Sequence, residues 1–98
     1  EFLKLQSLAK YCAYLAVADE INDMAKVVGA DYKWVKLWDE TQNEKISKFY
    51  EDMHFPILNP PNGRIGGHCV MPVTEMVVKD DRFDTKVVLE AFKKYKDL

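Results

Sequence analysis

Apolar residues recur every three or four positions along the first 28 residues, which is the period of a helix. The stripe comprises Phe2, Leu5, Leu8, Ala9, Cys12, Leu15, Ala16, Ile21, Met24, Ala25 and Val28. Neither glycine nor proline interrupts it, and Gly29 follows where a capping glycine belongs. The pattern predicts a helix of roughly 40 Å at 1.5 Å per residue. So long a helix exposes apolar surface that we expect a dimer or a further domain to cover.

Four shorter helices are predicted after the long one. Asp31 caps the second, and the capping-box pattern at residues 41–44 opens the third. The fourth starts near Pro72, and Asp84 or Thr85 caps the fifth. Two tryptophans lie four residues apart in the second helix, which favours packing in a core or an interface over binding a sugar. They are Trp34 and Trp38.

The chain is predicted to form one all-α domain over residues 1–98, with about five helices around the long N-terminal one, because no segment alternates as a strand does. An apolar share of 48% is ordinary for a globular protein. The net charge of -2, with both signs mixed, argues against a nucleic-acid binder. No apolar run approaches the roughly 18 residues of a membrane span. We therefore expect neither nucleic acid nor a membrane as a partner.

The two cysteines, Cys12 and Cys69, are too few for a disulfide scaffold, so a reduced, cytoplasmic setting is expected. With His54 and His68 they show no paired ligand spacing, so no metal site is expected. The sequence starts at Glu1 inside a predicted helix, which indicates a fragment of a longer protein.

A glycine-rich stretch, NGRIGGHC at residues 62–69, ends directly before a predicted helix. Glycines let the backbone approach a ligand and expose its N–H groups. A helix N-terminus stabilises a thiolate, as a protonated His68 would, and Cys69 is therefore a candidate nucleophile. The same pattern is typical of a small cysteine packed beside a turn. The guanidinium of Arg64 is suited to bind a phosphate or a carboxylate. The alternative is that Arg64 is a solvated loop residue.

The segment Gly66-Gly67-His68-Cys69 resembles the G-G-x-C signature of the UDP-glucose and GDP-mannose dehydrogenase family. A histidine directly before the cysteine resembles the signature of the UDP-N-acetylmannosamine dehydrogenase branch of that family. The family's E-x-x-K motif is matched by Glu1-Phe2-Leu3-Lys4, and Asp19-Glu20 falls where the family has Asn-Glu. The resemblance covers nearly the whole chain. It implies a homodimer and a fold like the C-terminal domain of 6-phosphogluconate dehydrogenase. The substrate-binding candidates are Arg64, Gly66, Gly67 and His68.

The resemblance implies the central domain of an NAD-dependent nucleotide-sugar (UDP- or GDP-sugar) 6-dehydrogenase. Such enzymes oxidise the sugar C6 alcohol to a carboxylate in two hydride transfers, through a covalent adduct between a cysteine and the aldehyde. Cys69 matches that nucleophile, and Lys4 matches the lysine that stabilises the oxyanion. Lys4 is otherwise an ordinary solvated lysine.

Two departures from the family pattern weaken the predicted site. The family's asparagine one turn after the lysine is Leu8 here. The family's x-P-x-D pattern after the cysteine also lacks its aspartate, because Pro72 is followed by Val73, Thr74 and Glu75, so Thr74 or Glu75 would have to substitute. The chain also has no strand followed by G-x-G-x-x-G. Without a Rossmann domain to hold NAD, it is expected to be inactive. The alternatives are a non-catalytic helical dimerisation or binding module with a degenerate site, and an unrelated helical domain in which G-G-H-C is coincidental.

Overall fold

The computed structural model describes residues 1–49, 54–61, 65 and 69–96. Within these ranges the chain forms helices and no strand: α1 (Phe2–Val27), α2 (Tyr32–Ser47), α3 (Val70–Val78) and α4 (Lys86–Tyr95). The all-α class predicted from the sequence is confirmed. In this part of the chain, no helix combines the length and the apolar character that crossing a bilayer requires.

The C-terminus of α1 is closed by the glycine that the sequence predicts. Gly29 has a φ of 76°, in the left-handed region that only glycine enters without a steric cost. Its N–H donates to the Lys26 carbonyl at 3.2 Å, and the N–H of Ala30 donates to the Ala25 carbonyl at 2.8 Å. These two bonds form a Schellman motif, which satisfies carbonyls at the end of α1 and turns the chain toward α2.

Helices α1, α3 and α4 pack against one another and enclose the core. The core cluster consists of Cys12, Leu15, Ala16, Ile65, Val70, Ala91 and Tyr95. The hydroxyl of Tyr95 donates to the Leu15 carbonyl at 3.4 Å and to the carboxylate of Asp19. The side chains of Tyr95 and Asp19 are both buried. The hydrogen bond between them therefore fixes the end of α4 on the middle of α1.

Helix α3 runs antiparallel to α1. Near its start, Val70 packs in the same cluster as Cys12. One turn later the side chain of Thr74 contacts the Cys12 thiol. Near its end, Val77 lines a cavity with Leu5, close to the start of α1. The chain direction of α3 therefore places its N-terminus beside the middle of α1.

Helix α2 is continuous through the point where the sequence predicts a break. Asp31 is its N-cap and accepts a hydrogen bond from the Lys33 N–H at 3.0 Å, as expected. Thr41 lies inside the helix, and its hydroxyl donates to the Leu37 carbonyl at 2.8 Å. The capping box predicted at residues 41–44 is wrong, because a threonine hydroxyl bonded four residues back leaves the backbone helical.

The two C-terminal helices begin close to their predicted positions. Helix α3 starts at Val70, so Pro72 lies in the first turn, where its missing N–H costs nothing. Helix α4 follows Thr85, one of the two predicted caps, although the Thr85 side chain makes no capping hydrogen bond.

Candidate functional site

Cys69, the predicted nucleophile, is exposed and directly precedes α3. Its carbonyl accepts the N–H of Val73 at 3.1 Å, the first hydrogen bond of that helix. The following residue, Val70, is buried in the core, which fixes the backbone of the helix start. The predicted placement of the thiol before a helix is therefore confirmed, and solvent reaches it.

Lys4, the predicted cation, lies in the first turn of α1 and is exposed. Cys12 lies eight residues further along α1, which is about 12 Å of helix axis. Since α3 is antiparallel to α1, and Thr74 contacts the Cys12 thiol, Cys69 lies at the level of Cys12 or beyond. The described residues of a single chain therefore do not bring Lys4 and Cys69 together.

The substrate-binding candidates Arg64, Gly66, Gly67 and His68 lie outside the described residues. Ile65, which stands between them in the sequence, is buried in the core cluster.

The residues that would support a catalytic cysteine have other roles in the structure. Thr74 is fully buried, and its hydroxyl donates to the Val70 carbonyl at 2.6 Å. The Glu75 carboxylate pairs with Lys79 at 2.5 Å, one turn away on the surface of α3. Leu8, at the position of the family's asparagine, packs against the core. These contacts give no support to Thr74 or Glu75 as substitutes for the missing aspartate.

The second cysteine is shielded. Cys12 has no exposed surface. Burial raises the pKa of its thiol, and the hydrogen bond with Thr74 lowers the pKa by a smaller amount. Cys12 therefore belongs to the packing of α1 against α3 and offers no nucleophile.

Two exposed tryptophans lie on α2. Trp34, Leu37 and Trp38 are 58%, 50% and 66% exposed, and they share the side of α2 that faces away from α1. We call these three residues the outer face of α2. The expectation that the tryptophans pack in a core is wrong within one chain. The alternative expectation, an interface, stays a prediction.

The inner side of α2 borders a cavity of about 270 Å³ between α2, α1 and the loop that follows α2. Its lining includes Tyr14 and Ile21 from α1, Tyr32 and Asp39 from α2, and Leu58 from the loop. This cavity was not predicted from the sequence. The signal was the spacing of Tyr32, Val35 and Asp39, which puts one carboxylate into an otherwise apolar side of the helix.

No family model matches the chain, and no curated protein or solved structure was found to match it.

Proposed function

We propose that this chain is a helical self-assembly module that forms a homodimer through the outer face of α2. The observation that carries the proposal is the exposure of Trp34, Leu37 and Trp38. Aromatic side chains offer about 150–250 Å² each, so the three expose on the order of 300–400 Å², most of it apolar. Contiguous apolar patches of this size on soluble proteins commonly mark interaction sites.

A shallow, open depression lined by α2 alone borders the outer face, where a partner side chain can pack. It has a volume of about 350 Å³ and lies along one flank of α2. Lys33 and Lys36 line its first half, and Glu40 lines its second half. Trp34 and Leu37 supply an apolar wall, which suits an aromatic anchor from a second molecule.

The charges on this flank favour a second copy as the occupant. At 100° per residue, Lys33, Lys36, Glu40 and Glu44 fall on one flank of α2, with the lysines toward its N-terminus. In an antiparallel pair of α2 helices whose two-fold axis passes between Trp38 and Asp39, Lys33 of each copy faces Glu44 of the other. The same flank is thus complementary to itself. A standard interface covers about 800 Å² per partner, of which the outer face supplies roughly half.

Charge reversal on this flank tests the proposal. Light scattering coupled to size-exclusion chromatography gives the mass as a function of concentration. We expect the double variant Trp34→Ser/Trp38→Ser to be monomeric. Lys33→Glu should weaken the dimer about tenfold or more, because Glu then faces Glu44 of the second copy. Lys33→Glu/Glu44→Lys should restore it, since the opposite charges again face each other.

Lys4→Glu is the matched control, because it reverses the same charge on the exposed start of α1. It should leave the dimer unchanged. A wild-type mass that stays monomeric up to millimolar concentration contradicts the proposal. A dimer that Lys4→Glu disrupts and Lys33→Glu does not would move the interface to α1.

A second candidate is the catalytic domain of a nucleotide-sugar dehydrogenase, and the exposure of Cys69 before α3 favours it. The described residues form no strand, so they do not fit the βαβ unit that holds NAD, and no hydride-transfer step is assigned to them. In this candidate Cys69 contacts a UDP- or GDP-sugar, and a second chain supplies the cation, because Lys4 of the same chain is distant.

Alkylation of Cys69 tests the second candidate. Iodoacetamide labelling of the full chain is followed by mass spectrometry with and without UDP-N-acetylmannosamine or GDP-mannose. A bound nucleotide-sugar should slow the labelling at least tenfold. Equal labelling rates at millimolar nucleotide-sugar would reject this candidate and leave the assembly module standing.

A further inference from the structure

The cavity between α1 and α2 is lined by groups that recognise an organic cation. Its lining includes two aromatic residues, Tyr14 and Tyr32, one acidic residue, Asp39, and the aliphatic residues Ile21 and Leu58. Aromatic faces and a carboxylate together attract an ammonium group, and aliphatic walls accept an apolar body.

The Asp39 carboxylate has no protein partner in the described part of the chain. No hydrogen bond or ion pair involves it there, although Lys36 lies one turn earlier on the same helix. The ammonium group of Lys36 is bound to the Asn59 side chain at 2.8 Å. Asp39 is half-buried, and a half-buried carboxylate without a partner favours a cationic ligand.

The walls of the cavity are held in place before any ligand arrives. The hydroxyl of Tyr32 donates to the Leu58 carbonyl at 3.1 Å and so ties the loop to α2. Burial is the largest cause of the raised pKa of Tyr32, and the negative charges of Asp39 and Asp19 raise this pKa further. The electrostatic field at Tyr32 is therefore negative. A cation entering the cavity therefore meets a preformed, negatively polarised space.

We propose that this cavity binds a small organic ammonium ion with an apolar or aromatic body, held by Asp39, Tyr14 and Tyr32. Its volume of about 270 Å³ lies just below the roughly 300–1,000 Å³ of drug-sized sites, which limits the ligand to a single ring or a short chain. The site lies on the inner side of α2, so it is independent of the homodimer proposed for the outer face.

An NMR titration of the full chain with 2-phenylethylammonium tests this site. Saturable amide shifts are expected at Tyr14, Ile21, Tyr32 and Leu58. The neutral analogue 2-phenylethanol should bind about tenfold or more weakly, because it lacks the charge that Asp39 recognises. The anionic 3-phenylpropionate should not bind. Equal affinity for the ammonium ion and the alcohol would overturn the proposal.

Two variants locate the site. Asp39→Asn should weaken ammonium binding about tenfold and leave the affinity for the alcohol unchanged, while Asp23→Asn, on the exposed surface of α1, should change neither. Val35→Phe should fill the cavity and abolish the binding of both compounds. Unchanged ammonium binding in Asp39→Asn, or in Val35→Phe, would reject the site. If Asp39→Asn fails to fold, the comparison of the three compounds on the wild-type chain decides alone.

Discussion

The contact between Tyr95 and Asp19 is the main buried polar interaction of the described core. Both side chains are less than a tenth exposed. The tyrosine hydroxyl donates to the carboxylate and to the Leu15 carbonyl, so it joins the end of α4 to α1. A hydrogen bond to a charged group is stronger than one between neutral groups, so removing this donor costs more than losing an ordinary hydrogen bond.

Tyr95→Phe should therefore lower the free energy of unfolding by about 1–3 kcal/mol, measured by urea denaturation. The pH dependence should change as well. Burial and Asp19 raise the pKa of Tyr95, whereas an unfolded tyrosine ionises near pH 10. The wild type should thus keep this contribution below pH 10 and lose stability as the pH rises above it. Tyr95→Phe should show a flatter alkaline limb. Tyr11→Phe, at a more exposed position of α1, should change neither quantity by more than about 0.5 kcal/mol.

The two cysteines should differ sharply in reactivity. Cys69 is exposed, whereas Cys12 is fully buried and its thiol has a raised pKa. A thiol must be both accessible and ionised to react. Ellman's reagent at pH 8 should label one thiol per chain rapidly and the second about a hundredfold more slowly, through opening of the fold. Cys69→Ala should remove the rapid phase and Cys12→Ala should keep it. Two equally rapid thiols would contradict the packing of α1 against α3.

At the scale of the elements, α2 is attached differently from the other helices. It contains no buried residue. Within the described residues, side-chain hydrogen bonds attach it to the following loop. The most complete is that of Asn43, whose amide nitrogen donates to the Phe55 carbonyl at 3.0 Å and whose amide oxygen accepts the Phe55 N–H at 2.6 Å. One asparagine thus satisfies both backbone groups of a loop residue and fixes the loop beside α2.

Asn43→Ala should remove both bonds and lower the free energy of unfolding by about 1–2 kcal/mol, since each net hydrogen bond contributes about 1 kcal/mol. Gln42→Ala is the matched control, because the neighbouring side chain makes no hydrogen bond within the described residues. Chemical denaturation measures the difference between the two variants. Equal stability of both would show that the contact between Asn43 and Phe55 contributes nothing in solution.

The elements also define what the sequence could predict. Helix α1 and its cap at Gly29 were predictable, because a long uninterrupted stripe and a glycine at its end are local signals. The break at Thr41 was wrongly predicted, since a threonine hydroxyl serves equally well as an N-cap or as a donor to the carbonyl four residues back.

The candidate site was only partly predictable, for a reason of the same kind. The position of Cys69 before α3 is a local property and was found. Its distance from Lys4 depends on the direction in which α3 packs against α1, and that direction is a tertiary property that no spacing in the sequence encodes. The same holds for the outer face of α2. The pattern identifies Trp34 and Trp38 as apolar, but only the packing decides which side of the helix faces α1.

At the scale of the whole molecule, the fold divides into a three-helix core and one peripheral helix. Helices α1, α3 and α4 share the buried cluster, whereas α2 borders a cavity on one side and solvent on the other. Local opening costs least where few apolar contacts are lost. The amides of α2 should therefore exchange through a partial opening that leaves the core intact, and amides near Cys12 should exchange only on global unfolding.

Native-state hydrogen exchange read by NMR measures this difference. At low micromolar concentration, we expect opening free energies in α2 to be at least about 2 kcal/mol smaller than those around Cys12 in α1. Dimerisation through the outer face of α2 would raise the protection of α2 with protein concentration, because opening would first require dissociation. Amides in the core exchange through global unfolding. Their protection would therefore increase with protein concentration only by the amount that dimerisation adds to the global free energy of unfolding. Equal opening free energies in α2 and α1 at every concentration would mean that α2 unfolds with the core as one cooperative unit.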